Sequence, residues 1–209
     1  MAKKKFYVVW EGRKRGIYTT WKECQEQIEG IKGARYKSFK TKENAEKAFK
    51  GNYEDYIGKT VFETELTKEQ LKAIGNPILN SIAVDGACNN KGVSEYKGVY
   101  TDTETQLFIQ GPYKGGSNNI VEFLALVHAL AYCKKHKLTL PIYSDSRIAI
   151  NWVQKKYFNT SIKRTKDNKK VFELMDRALN WLKINKYNNK ILKWETKAWG
   201  EIPADFGRK

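Results

Sequence analysis

The sequence has little from which a soft metal site or a disulfide framework could be built. It holds two histidines and three cysteines in 209 residues. Cys24, Cys88 and Cys133 are odd in number, far apart and without CxxC spacing, so neither disulfides nor zinc are expected, and a reducing compartment is implied. No stretch approaches the roughly 18 uninterrupted apolar residues of a membrane span. The basic start, Met1 to Lys5, is not followed by an apolar run with a small-residue cleavage site, so a cytoplasmic protein away from membranes is expected. No internal repeat and no low-complexity tract occurs. His128 and His136 fall in or just after an apolar helical run, which predicts structural roles for both.

What is present is positive charge, net +16, with an apolar content of 41%. That content suffices for a core, and the 209 residues leave room for one full domain and a small second one. The charge is uneven: residues 1–50 hold 14 Lys and Arg against 6 acids, residues 51–80 hold 3 against 5, and residues 81–209 hold 22 against 12. Two basic blocks around an acidic one, with 13% aromatics, point to a polyanionic partner bound through counterion release.

Along the first block, Lys5 to Trp10, Gly16 to Thr19 and Arg35 to Phe39 read as strands. Thr20 with Glu23 forms a capping box for a helix ended by Gly30 and Gly33, and Thr41 caps a second helix over 42–49. The predicted unit is ββαβα over residues 1–50, followed by a partly ordered linker over 51–78 with a short helix capped by Thr67. The second block, 79–209, reads as an α/β domain. It has a strand at Ser81 to Cys88, two further strands of a meander at 96–101 and 106–110, and a buried helix at about 120–135. A short strand follows at 141–144, parallel to the first by right-handed crossover. Helices at 146–156 and 169–185 and a strand at 191–194 complete it.

Four acids stand out. Asp85 interrupts a buried strand, where an unpaired carboxylate is costly. Glu122 opens the apolar helix, where it could also be a capping-box residue three beyond Asn119. Asp145 ends a strand, which suits an N-cap as well as the ligand-binding carboxyl edge of a parallel sheet. Asp205 alone reads as a solvated tail residue. Adjacent parallel strands would set Asp85 beside Asp145, and two carboxylates so close need a cation between them. An all-oxygen set without His or Cys selects a hard ion, magnesium first. Two such ions roughly 4 Å apart suit in-line phosphoryl displacement by water.

The runs Asp85-Gly86-Ala87-Cys88, Asn118-Asn119-Ile120-Val121-Glu122, Tyr143-Ser144-Asp145-Ser146 and Trp199 to Lys209 resemble the cellular type 1 ribonuclease H family, from about Asn80 to the end. The resemblance implies a ribonuclease H-like mixed five-stranded sheet with helices. It implies cleavage of the RNA strand of RNA/DNA hybrids to 5′-phosphate and 3′-hydroxyl ends, with two Mg²⁺ (Mn²⁺ as the substitute) on Asp85, Glu122, Asp145 and Asp205. Many relatives carry a histidine before the last aspartate; none stands there in this chain, and the resemblance puts Glu201 in its place.

The first block, through Gly16 to Cys24 and Gly33 to Phe39, is similar to the hybrid-binding, viroplasmin-like domain, a small α+β module. The resemblance implies hybrid contacts by Trp21, Tyr36 and Lys37; Ser38 stands where a second lysine is common. In the second block it implies that Asn118 and the Cys88, Asn89 and Asn90 backbone read 2′-hydroxyls. It also implies that Ser117, Asn119, Thr160 and Ser161 hold a DNA phosphate, that Trp152 packs on deoxyribose, and that Ser146 and Arg147 contact nucleic acid. The expected partner is an RNA/DNA hybrid and the expected state a monomer. The alternatives are a non-catalytic hybrid-binding protein and another nuclease of the same fold, such as a junction resolvase or an integrase.

Overall fold

A computed structural model describes residues 5–56, 62 and 64–207. Part of the expected linker (57–61 and 63) and the closing Arg208 and Lys209 lie outside the described residues. The chain divides into two compact units, Met1–Ile74 and Gly75–Lys209.

In the first unit, β1 (Phe6–Glu11), β2 (Gly16–Tyr18) and β3 (Arg35–Phe39) form an antiparallel sheet of order β2-β1-β3. Two helices, α1 (Trp21–Ile28) and α2 (Lys42–Lys50), pack on β1. The Thr20 hydroxyl accepts from the Glu23 N–H at 3.2 Å while the Glu23 carboxylate accepts from the Thr20 N–H at 3.1 Å, the reciprocal cap that the sequence predicts. Val8, Trp10, Phe39, Ala45 and Ala48 form the small core. Trp10 buries its ring because its N–H is satisfied by the Ala48 carbonyl at 3.1 Å, as a buried indole requires. The chain stays with this core beyond residue 50: a 3₁₀ turn at Tyr53–Asp55 brings Tyr53 and Tyr56 within 5.3 and 5.8 Å of the Trp10 ring. A further helix, α3 (Lys68–Ile74), has Thr67 and Gln70 bonded reciprocally at its start and no buried residue.

The second unit is a five-stranded sheet, order β6-β5-β4-β7-β8, with β4 (Ile82–Cys88), β5 (Val93–Tyr100), β6 (Gln106–Lys114), β7 (Ile142–Ser144) and β8 (Ile191–Lys193). The first three are antiparallel and the last two parallel to β4, so the sheet is mixed as expected. β5 starts three residues earlier than the sequence pattern suggests, because the Asn89 side chain accepts from the Lys91 and Val93 N–H groups and fixes the turn. Helices α4 (Asn118–His136), α5 (Arg147–Lys155) and α6 (Lys169–Ile184) complete the layer, followed by the single turn α7 (Thr196–Trp199). Ten residues of α4 are buried; truncating any one of its leucines to alanine costs about 2–5 kcal/mol. A second, smaller cluster joins Ala83, Val99, Tyr143, Trp194, Ile202 and Ala204, and it brings the irregular C-terminal segment onto strands β4, β5 and β7. Among the described residues no helix is long and apolar enough to cross a membrane.

Candidate active site

Asp85 lies on β4 after the buried run Ile82-Ala83-Val84 and is itself 8% exposed. Ala83 pairs with Tyr143 in the parallel ladder, so two residues further on Asp85 and Asp145 stand level at the carboxyl edge of the sheet. Glu122 comes from α4, whose first turns cross β4 where Gly86 has no side chain: a Cβ there would lie 2.7 Å from the Glu122 nitrogen. The capping-box alternative for Glu122 is not realised. The N-cap is Ser117, and the Glu122 carboxylate accepts from the Ser146 hydroxyl, which in turn accepts from the Ala149 N–H at 3.2 Å and caps α5. One carboxylate oxygen each of Asp85, Glu122 and Asp145 lies within 4.8 Å of the others.

This grouping is electrostatically expensive. Burial, then the Asp145 carboxylate, and less strongly Glu122 and Asp205, push Asp85 up to about 7. Burial also raises Glu122 and Asp145. The Lys193 ammonium opposes the shift at both; Lys193 pairs with Ser144 across β8 and β7 and donates to the Trp194 carbonyl. Asp145 Oδ1 is buried with no hydrogen-bond partner. Three hard oxygen donors, one of them orphaned, fit a divalent cation. Asp205 stands outside the tight trio yet near enough for its charge to raise both Asp85 and Asp145. Glu201, exposed, also raises Asp145.

Residues 80–198 match the family described as RNase H, and residues 5–49 match the Ribonuclease H1 N-terminal domain. The chain belongs to the ribonuclease H family. A Ribonuclease H1 of Rattus norvegicus is 23% identical over 97% of this chain and 84% of its own length. Ribonuclease H of Saccharomyces cerevisiae is 35% identical over 41% of this chain and 27% of its own. That of Crithidia fasciculata is 62% identical over 19% of this chain and 8% of its own. The matched segments thus span less than a third of these last two relatives.

Beside this carboxylate cluster, Asn118 Oδ1 accepts from the Cys88 N–H at 2.8 Å. This joins the start of α4 to the Cys88–Asn90 turn and leaves the exposed Asn118 amide NH₂ to donate elsewhere. Ser117 and Asn119 flank it at the helix start, Thr160 is half-buried and Ser161 and Arg147 are exposed. Trp152 is a core residue, 7% exposed and packed edge-on to Phe123 at 6.0 Å, so its ring offers little face to a ligand. In the first unit Trp21 and Tyr36 are 44% and 42% exposed and 5.8 Å apart. The sequence reading missed Tyr7, 5.6 Å from Trp21, which the β1–β3 register puts on the same sheet face as Tyr36. Lys37, adjacent to Tyr36 on β3, points to the other face and donates to the Tyr56 carbonyl at 2.7 Å, so it does not join the aromatic group.

Proposed function

We propose that this protein is an endonuclease that hydrolyses the RNA strand of RNA/DNA hybrids, leaving 5′-phosphate and 3′-hydroxyl ends. The observation that carries the reading is the trio Asp85, Glu122 and Asp145, with carboxylate oxygens within 4.8 Å of one another, at the carboxyl edge of a mixed sheet. Asp85, Glu122, Asp145 and Asp205 would hold two Mg²⁺, with Mn²⁺ able to substitute. Ions so held would supply the Lewis acidity that polarises a phosphate and acidifies a water. The chain's own residues do the rest. The Ser146 hydroxyl orients Glu122, and the Lys193 ammonium opposes the upward shift that burial imposes on Glu122 and Asp145, favouring the charged forms that coordinate. Glu201, whose charge reaches Asp145 and which is open to solvent, would accept or relay a proton.

Recognition follows from groups beside the acids. The Asn118 amide and the Cys88–Asn90 turn present donors and acceptors to 2′-hydroxyls, which are both at once. Ser117 and Asn119 at the start of a 19-residue helix suit a phosphate of the DNA strand. The exposed Trp21 and Tyr36, with the half-buried Tyr7 beside Trp21, form an aromatic platform in the first unit, where sugars or bases can stack, and this unit would act as a hybrid-binding domain.

The test is a labelled RNA/DNA hybrid incubated with and without Mg²⁺, beside duplex DNA, duplex RNA and a four-way junction. Magnesium-dependent cuts confined to the RNA of the hybrid are expected. Cleavage of the junction, or binding without cleavage, would replace this reading with one of its alternatives.

A further inference from the structure

Asp205 stands on no regular element; Asp145 also lies just past its strand, but it sits in a two-residue link held between β7 and α5. The segment from Gly200 to Phe206 has no ladder or helix, so its course is set by discrete ties. The Trp194 indole N–H holds the Gly200 carbonyl at 2.9 Å, Ile202 and Ala204 are buried against β4, β5 and β7, and the Asp205 N–H donates to the Ile202 carbonyl at 2.8 Å. At Asp205 itself the tie comes from Lys97 on β5. Its ammonium donates to the Asp205 carbonyl at 3.1 Å and lies 4.8 Å from the centre of the Phe206 ring. Lys97 is also the cross-strand partner of Asp85, so one side chain links the strand that carries the first acid's neighbour to the loop that carries the last.

We propose that Lys97 is a positioning residue that clamps the Asp205–Phe206 segment and thereby sets the aim of the Asp205 carboxylate; the inference rests on the reading of Asp205 as a metal-holding residue. A lysine suits the place for two reasons. Its long stem spans from β5 to the overlying loop while its head bonds a carbonyl, and a cation over an aromatic face gains attraction that an uncharged side chain of equal length does not. The Asp205 carboxylate is then oriented from the other side, since Oδ2 accepts from the Gly207 N–H at 2.8 Å. With the carbonyl gripped by Lys97 and the carboxylate by its own turn, little freedom is left to the side chain. Groups that orient a ligand without touching the metal are worth about 10- to 100-fold in affinity.

The experiment uses the full chain with Lys97→Met, Lys97→Arg, Phe206→Leu and Asp205→Asn. Mg²⁺ binding to the metal-free proteins is measured by calorimetry, hydrogen exchange is followed at the Ile202, Ala204, Asp205 and Phe206 amides, and hybrid cleavage is assayed across Mg²⁺ concentrations. Lys97→Met is expected to weaken Mg²⁺ binding about 10- to 100-fold, to speed exchange at Asp205 and to leave KM for hybrid unchanged, with Lys97→Arg restoring most of the loss. Phe206→Leu keeps the lysine and should show the same changes, smaller. Mg²⁺ affinity within twofold of the parent in Lys97→Met, with Asp205→Asn impaired, overturns the clamp alone; should Lys97→Met not fold, unaltered Mg²⁺ affinity and exchange in Phe206→Leu overturn it. If Asp205→Asn binds Mg²⁺ and cleaves like the parent, the reading of Asp205 falls and the clamp with it.

Discussion

The backbone nitrogen of Glu122 lies 2.7 Å from where a Cβ on Gly86 would stand. Real Cβ atoms do not come so close to backbone, so this glycine is what lets α4 lie against β4 and bring Glu122 to Asp85. Gly86→Ala would lever the helix start away from the strand. A misplacement of about 1 Å can cost roughly 100-fold in rate, and a loss of cleavage of at least that size is expected, with the far-ultraviolet circular dichroism of the parent retained. Full activity in Gly86→Ala would show that the close approach is not needed.

The trio should make stability depend on pH and on metal together. Asp85 is pushed up to about 7 in the metal-free protein, chiefly by burial, whereas an unfolded aspartate titrates near 3.9. The folded state therefore binds more protons between these values, and the associated stability is present at low pH and lost as pH rises through about 7. At about 1.4 kcal/mol per unit the effect reaches a few kcal/mol, shared with the neighbouring acids. Thermal unfolding of metal-free protein should show a lower Tm at pH 8 than at pH 5, and Mg²⁺ should raise Tm much more at pH 8. A metal response equal at both pH values would contradict this account.

Asp85→Asn separates electrostatics from chemistry. The amide keeps the shape and removes one charge from a crowded group, so metal-free protein at pH 8 should gain stability while cleavage falls to background. Affinity for hybrid, measured without metal, should stay within about twofold, because the binding groups lie elsewhere.

The aromatic platform gives a prediction about long substrates. Stacking of a base on an aromatic ring is worth about 1–3 kcal/mol, so Trp21→Ala should weaken binding of long hybrids by roughly 10-fold and shorten runs of successive cuts. Single-cleavage rates on short hybrids should not change. Tyr7→Ala should act in the same direction, and Lys37→Ala, which alters a side chain tied to the Tyr56 carbonyl, should act little on hybrid affinity. Equal processivity of the parent and Trp21→Ala would remove the platform from the account.

Much of this was legible locally. Alternation in Lys5 to Trp10, the reciprocal pair Thr20 and Glu23, and the nearly all-apolar face of residues 120–130 each encode an element through interactions a few residues apart, which is why the strands and helices emerged close to their observed bounds. Period-two reasoning would also have parted Tyr36 from Lys37, had it been applied to the ligand face as well as to the core, whereas the contact of Tyr7 with Trp21 at the start of α1 comes from tertiary packing. Gly86 looked like a break in a strand. It is a contact point for a helix that begins 32 residues later.

By itself, then, the sequence determined the elements, the compartment-neutral chemistry of the donor set and the order of the acidic motifs, because these depend on neighbours along the chain. Only the tertiary structure decided that Asp85, Glu122 and Asp145 converge, that Trp152 turns into the core, and that Lys193 and Lys97 stand beside the acids. Those outcomes follow from strand register and helix crossing between residues tens to more than a hundred positions apart, where the close packing of side chains chooses one pairing among many that the local pattern permits.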